Sequence, residues 1–376
     1  MGIPIQGNPR PGPATFGWGL FCACSWTWGI AMYLPVVLLG RFGWPGFLAF
    51  AIPNVLGCTA FGYVLRRRAP AAEHRVAMTS FSAVVIALHM FFVVFLLGVV
   101  SALGSAAWGA VAAVAVFAAG LALSRMPDRA WPLVAAVVYA GSVAAFFAVG
   151  VAPLAELGFY GDSSWGDLVW LTPTFIFGFL LCPYLDLTFY RALQRSPSRH
   201  AFGVFGLSFP VILLLTCAYS RSLSEGLTVA VIGHLIAQTV FTVAAHAREI
   251  RLSTWPVAAN GRRLLLLAPL AVVPLGLMAL ATALVPANTG EGIYLRFLVP
   301  SALVFPAYVL LFMGPGRALP LSRRNLTAFT VVMLAALPFY ELAFIGDHAW
   351  LVVFPLGGLI GWKAVGKKAM SHEPEP

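Results

Sequence analysis

Residues 131–152, WPLVAAVVYAGSVAAFFAVGVA, hold no charged side chain. A run of this length spans a bilayer as one helix, since each residue adds about 1.5 Å toward roughly 30 Å of hydrocarbon. Runs of the same kind recur along the chain, of which 60% is hydrophobic and only 10% charged, against about 25% charged in a soluble domain. Hydrocarbon offers no hydrogen bonds to an exposed backbone, so only helices or a closed barrel can cross it. Runs of about twenty residues rather than ten select helices. The expectation is an all-α polytopic membrane protein of about twelve spans, at residues 16–40, 46–66, 77–101, 106–124, 131–152, 165–190, 201–220, 227–247, 263–285, 293–313, 326–346 and 349–364.

Basic residues test this spacing independently, because Lys and Arg in short loops collect on the cytoplasmic side. With the N-terminus cytoplasmic, 20 of the 23 Lys and Arg residues fall on the inner side, and only Arg41, Arg221 and Arg296 lie outside. Both termini are then cytoplasmic, in an inner-membrane multi-pass protein whose residues 365–376 form a polar tail. The net charge of +10 reflects topology and attraction to anionic lipid. No soluble segment carries a basic patch interleaved with aromatics, so the bilayer and a small solute are the expected partners, and nucleic acid is not.

Cys22, Cys24, Cys58, Cys182 and Cys217 all fall within spans, without the paired CxxC spacing of a zinc site. No HExxH, GxSxG or Gly-rich phosphate loop occurs, and the 13 acids are too sparse to give paired carboxylates at shared depth. An enzyme is therefore not expected, nor an organic cofactor.

Two spans are irregular. SWGDLVWLTPTFIFGFLLCPYLDLTFYRAL, Ser164 to Leu193, carries Pro173, Gly178, Pro183 and Asp186, and the first span has a small, polar centre from Cys22 to Gly29 with Trp26 and Trp28 inside it. Interrupted helices at corresponding positions, five spans apart and opposite in direction, mark inverted-repeat transporters, where the breaks expose backbone groups to ions and substrate. On this reading the helices unwind near Ser25–Thr27 and Thr174–Gly178. Trp26, Trp28, His89, Thr174, Phe177 and Gln238 are candidate substrate contacts, with the aromatic rings suited to an apolar or cationic solute. Close helix packing by small residues and a simple proline kink are the alternative readings.

The segment PYLDLTFYRALQRSPSRHA resembles the end of the equivalent helix in the sodium/solute symporter family, through Asp186, Arg191 and the Arg195-Ser196 pair; Tyr190 stands where that family usually has Gln. The resemblance implies a leucine-transporter-type core of five plus five helices, residues 1–152 and 165–313, with two peripheral helices over 326–364. It also implies a sodium site between the helix-one backbone, at Ala23 and Ser25, and hydroxyls on helix eight. There only Thr239 and Thr242 offer hydroxyls, three apart and so on one face.

Ionisable groups inside spans are candidates for function because they are costly there. Asp186, which has Arg191 five residues on, and His234 are candidates for a gate or proton relay; Glu341 and Asp347 read as facing water. The expected function is cation-coupled transport of a small organic solute by alternating access, driven by sodium or protons. The alternative is a sensor or scaffold derived from a transporter fold.

Overall fold

The computed structural model describes residues 12–65, 72–95, 106–149, 154, 157–218, 229–253, 290–314 and 318–370. Their regular structure is helical throughout: α1 (Pro13–Ser25), α2 (Gly29–Val64), α3 (Arg75–Phe95), α4 (Ala106–Leu123), α5 (Trp131–Val149), α6 (Trp165–Leu181), α7 (Leu187–Arg195), α8 (His200–Ala218), α9 (Val229–Leu252), α10 (Gly290–Phe297), α11 (Arg323–Phe344) and α12 (Val353–Met370). Past α10 the chain stays helical to Met313, widening into π turns over Pro300–Val304 and Val309–Met313; Pro300 and Pro306 each remove a backbone donor there.

Among the described residues, eight helices are long and apolar enough to cross a membrane, and shorter apolar helices cover Val111–Leu123 and Ala349–Ala364. This is the all-α polytopic architecture that the apolar runs demand. The expected ninth span, 263–285, lies outside the described residues.

The first span divides into α1 and the start of α2, at the small, polar centre where unwinding is expected. Within the loop expected at 41–45, Gly43 is non-helical (φ 66, ψ −157), so α2 is two helices that meet at a kink there. That backbone region disfavours any residue with a Cβ, and a Cβ at 43 would collide with the Phe159 carbonyl.

The helices gather into two compact units. One comprises Met1–Val37, Cys58–Leu157 and Asp186–Gly290. Within it α1 packs on α5 and α8, while α9 packs on α3, α4 and α5. From Gly17 to Ser25 every residue of α1 is buried. The close approach to α8 depends on Gly19, where a Cβ would press into Val204 and the Ala201 carbonyl.

The other unit comprises Leu38–Gly57, Gly158–Leu185 and Glu291–Pro376. Its core joins Leu303, Ala307 and Leu311 to Phe329, Met333, Ala336 and Tyr340 of α11. The spacings of four and three residues place each set on one helix face. Arg41 bonds Glu291 at 2.8–2.9 Å, and Arg296 grips Glu341 through two guanidinium nitrogens. Glu341, expected to face water, is exposed and also pairs with Arg296. Two of the three basic residues assigned to the outside are therefore each matched by an acid.

Away from these cores Leu133, Val137, Leu207, Leu334 and Ile360 are exposed. Apolar surface of this kind suits hydrocarbon. If the charge partition sets the topology, single cysteines at 162 and 199, in a background lacking the five native cysteines, react with an impermeant thiol reagent from opposite sides of sealed vesicles. Labelling from the same side refutes the orientation.

Candidate functional site

α1 stops at Ser25 and α2 starts at Gly29, so Trp26–Trp28 form a gap in what the hydrophobic pattern reads as one span. This is the first of the two unwound segments expected from the sequence, and its local chemistry explains it. Trp26 keeps a helical bond to the Cys22 carbonyl, but Thr27 N–H reaches Cys24 and Trp28 N–H turns back to Trp26, which removes the i to i−4 ladder. The carbonyls so released find side-chain donors, as buried backbone groups must. The Trp28 indole N–H donates to Ser25 O (3.0 Å), and the Thr27 hydroxyl donates to Ala23 O (2.7 Å).

Thr242 of α9 is the most telling partner. Its hydroxyl donates to Cys24 O at 2.9 Å and lies 3.3 Å from Thr27 O. Three neutral oxygens thus converge where α9 meets the gap. Of the residues expected to hold sodium, Thr242 meets the gap, facing the Cys24 and Thr27 carbonyls, while the Ala23 and Ser25 carbonyls serve Thr27 and Trp28. Thr239 is buried one turn earlier on α9. As donor chemistry, a hydroxyl and two carbonyls fit a hard monovalent cation.

The gap is walled by rings. Trp26 and Trp28 sit 4.3 Å apart between centroids, with Phe81 of α3 5.0 Å from Trp28 and Phe189 of α7 4.9 Å from Trp26. His246 of α9 stands edge-on to Trp28 and bonds Ser82 through Nδ1 at 3.1 Å. His89, fully buried on α3, donates from Nδ1 to Val85 O at 2.7 Å. That bond assigns the proton to Nδ1 in the neutral imidazole. Gln238 donates to Ser142 Oγ at 2.7 Å, tying α9 to α5, and His234 is buried one turn before it.

Residues 174–178 are a correction. The backbone stays helical there, with Pro173 accommodated inside α6. The interruption comes later, as a 3₁₀ turn over Cys182–Leu185 followed by Asp186 as the cap of α7. Thr174 is buried in α6, and Phe177 packs against the Leu303–Tyr340 core of the second unit. Neither belongs to the cluster around Trp26–Trp28.

Asp186 does not pair with Arg191. Its Oδ1 accepts the Thr188 N–H (2.7 Å), and the Thr188 hydroxyl lies 3.0 Å from Ser25 Oγ at the end of α1. Arg191 instead binds Glu249 of α9 in a fork, with both bonds 2.9 Å. Arg248 bonds Glu249 at 2.8 Å and also pairs with Asp128, which Arg195 contacts at 2.7 Å. Glu249 and Arg248 are each about 7% exposed at the side chain. Two acids and three arginines therefore form a mostly buried network joining α7, α9 and the turn before α5.

Sequence reasoning missed Thr188, Ser142, His246 and this network. The signals were the Asp-x-Thr cap spacing at 186–188, and the acids Asp128 and Glu249 standing among arginines. Neither comparison with protein-family models nor comparison with curated proteins gives a match to this chain.

Removing one partner of a buried ion network leaves uncompensated charge and costs roughly 3–5 kcal/mol. Glu249→Gln is expected to lower unfolding stability by about that much in detergent, with the exchange R191E/E249R recovering part of it. A change within about 0.5 kcal/mol, the range of ordinary surface substitutions, would show that the network does not bear on stability.

Proposed function

We propose that the chain is a secondary active transporter of a small organic solute, working by alternating access and coupled to a monovalent cation. In this reading it has twelve spans, with residues 1–152 and 165–313 as inverted repeats and 326–364 as two peripheral helices. It lies in the inner membrane with both termini cytoplasmic.

The observation that carries the reading is the gap at Trp26–Trp28. A buried chain that only needed to cross the bilayer would keep its helical ladder, because each unsatisfied backbone group in hydrocarbon costs several kcal/mol. Here Thr27 and Trp28 abandon it, and the released carbonyls are met by hydroxyl and indole donors from the gap itself and from α9. Side-chain bonds of this kind exchange more readily than a helix ladder, which suits a segment that must bind and release.

A sodium ion would be held by Thr242 with the Cys24 and Thr27 carbonyls, and would supply the positive charge whose gradient drives the cycle. Each residue has a separate task. Thr242 presents its oxygen to the gap, Gln238 fixes α9 to α5, and the rings of Trp26, Trp28, Phe81 and Phe189 offer a surface for a solute with an apolar or cationic part. His89, with Nδ1 committed to Val85, presents a bare acceptor nitrogen.

The test is uptake of a broad panel of labelled solutes into proteoliposomes under an imposed sodium gradient and, separately, a proton gradient. Wild-type protein is expected to concentrate at least one solute. Thr242→Val, which keeps the shape but removes the hydroxyl, is expected to weaken the apparent sodium affinity about tenfold, equivalent to about 1.4 kcal/mol. Uptake of no solute would overturn transport in favour of a sensor or scaffold. Uptake unaltered in Thr242→Val would remove the cation from this site.

A further inference from the structure

Asp186 is fully buried, and only one of its two carboxylate oxygens is used. Oδ1 caps α7 through the Thr188 N–H, while Oδ2 has no hydrogen-bond partner among the described residues. A solvated carboxylate accepts several hydrogen bonds, and a buried one is normally compensated by a cation or by such bonds.

The Thr188 hydroxyl and the N–H groups of Thr188 and Phe189 bond the carboxylate, but no cation pairs with it among the described residues. From α1 it faces the thiol of Cys22, and from α9 it faces Glu249, which can only repel it. α3, also packed on α7, carries His89, which is engaged on Val85. On α7 itself, Arg191 and Arg195 are committed to Glu249 and Asp128. Arg248 is shared between those same two acids, and Arg251 donates to the Ser124 carbonyl.

A buried carboxylate with no paired cation and one unbonded oxygen is relieved by taking up positive charge. The free Oδ2 can accept a single proton without any movement of neighbours, becoming an O–H donor. Sodium would need several oxygens around it, and Asp186 offers one free oxygen against a thiol and an acid. The contact from Thr188 to Ser25 then connects this carboxyl to the edge of the gap at Trp26–Trp28.

We infer that Asp186 is a proton-binding site of the transport cycle, separate from the Thr242 oxygens and linked to them through Thr188 and Ser25. This rests on the transport reading for its place in a cycle, though not for the existence of the site. Binding transfers a proton from water to Oδ2 and neutralises the carboxylate; release returns it to water. No other bond is made or broken.

Two measurements separate the site from its role. The first is the infrared carboxylic C=O band of purified protein in detergent, followed against pH and subtracted from that of Asp186→Asn. The expected result is a band that titrates in the wild type and is missing in the variant, with Thr188→Val shifting its midpoint. If Asp186→Asn does not fold, the Thr188→Val shift alone decides. Spectra identical in all three proteins, or a carboxylate ionised throughout the range, overturn the proposal.

The second measurement is solute uptake under a proton gradient. Asp186→Asn is expected to lose accumulation driven by the proton gradient. Accumulation unchanged in the variant rejects the role in the cycle. A wild type that transports nothing yet shows the titrating band would confirm the proton site and refute only the transport reading.

Discussion

Everything distinctive in this structure follows from the absence of water to satisfy a backbone in hydrocarbon. Where the helix continues, the constraint is met within the helix and the sequence can be bland, as in α4 and α5. Where the helix stops, every freed carbonyl needs a named donor, and the sequence must supply it. Trp28, Thr27 and Thr242 do so at Ser25, Ala23 and Cys24. The composition of the gap is thus dictated by the gap itself: a Ser, a Thr and an indole N–H concentrated in an otherwise apolar stretch.

That explains which part of the fold and site was legible. The gap in the first span announces itself because most of its donors are local, three or four residues from their acceptors. Thr242 could be picked from α9 because hydroxyls there are few. The second interruption was misplaced by about eight residues, and the reason is instructive. Pro173 removes one N–H, but a proline can sit in a membrane helix when neighbours repair the loss, and the Thr172 hydroxyl bonds Leu168 O alongside it. What ends the helix is the combination at 182–186, where Pro183 lies within the 3₁₀ turn and Asp186 can cap a new start. A proline marks a cost, and an acid at a cap position marks a boundary.

The ion network was illegible for a different reason. Charges near the end of a predicted span read as solvated, and α9 was expected to finish at residue 247; it runs to Leu252, which buries Arg248 and Glu249. Their partners lie far away in sequence, Arg191 being 58 positions from Glu249. No local pattern predicts that pairing. The same distance hid the commitment of Arg191, which made a pair with Asp186 the natural reading.

α7 connects these two kinds of chemistry. It has nine residues, about 14 Å of helix, too short and too polar to stand out as a separate element in the hydrophobic pattern. Its first turn touches Ser25 through a neutral hydroxyl pair, and its last residues hold Glu249 and Asp128 through arginine. The two ends differ in strength, since charge-assisted forked bonds are roughly twice as strong as neutral ones. The Thr188 end is held by packing as well, since Phe189 lies 4.9 Å from Trp26 and 5.6–5.9 Å from Phe61, Phe202 and Phe205 between ring centroids. α7 is thus fixed to the gap by apolar contact and to α9 by charge.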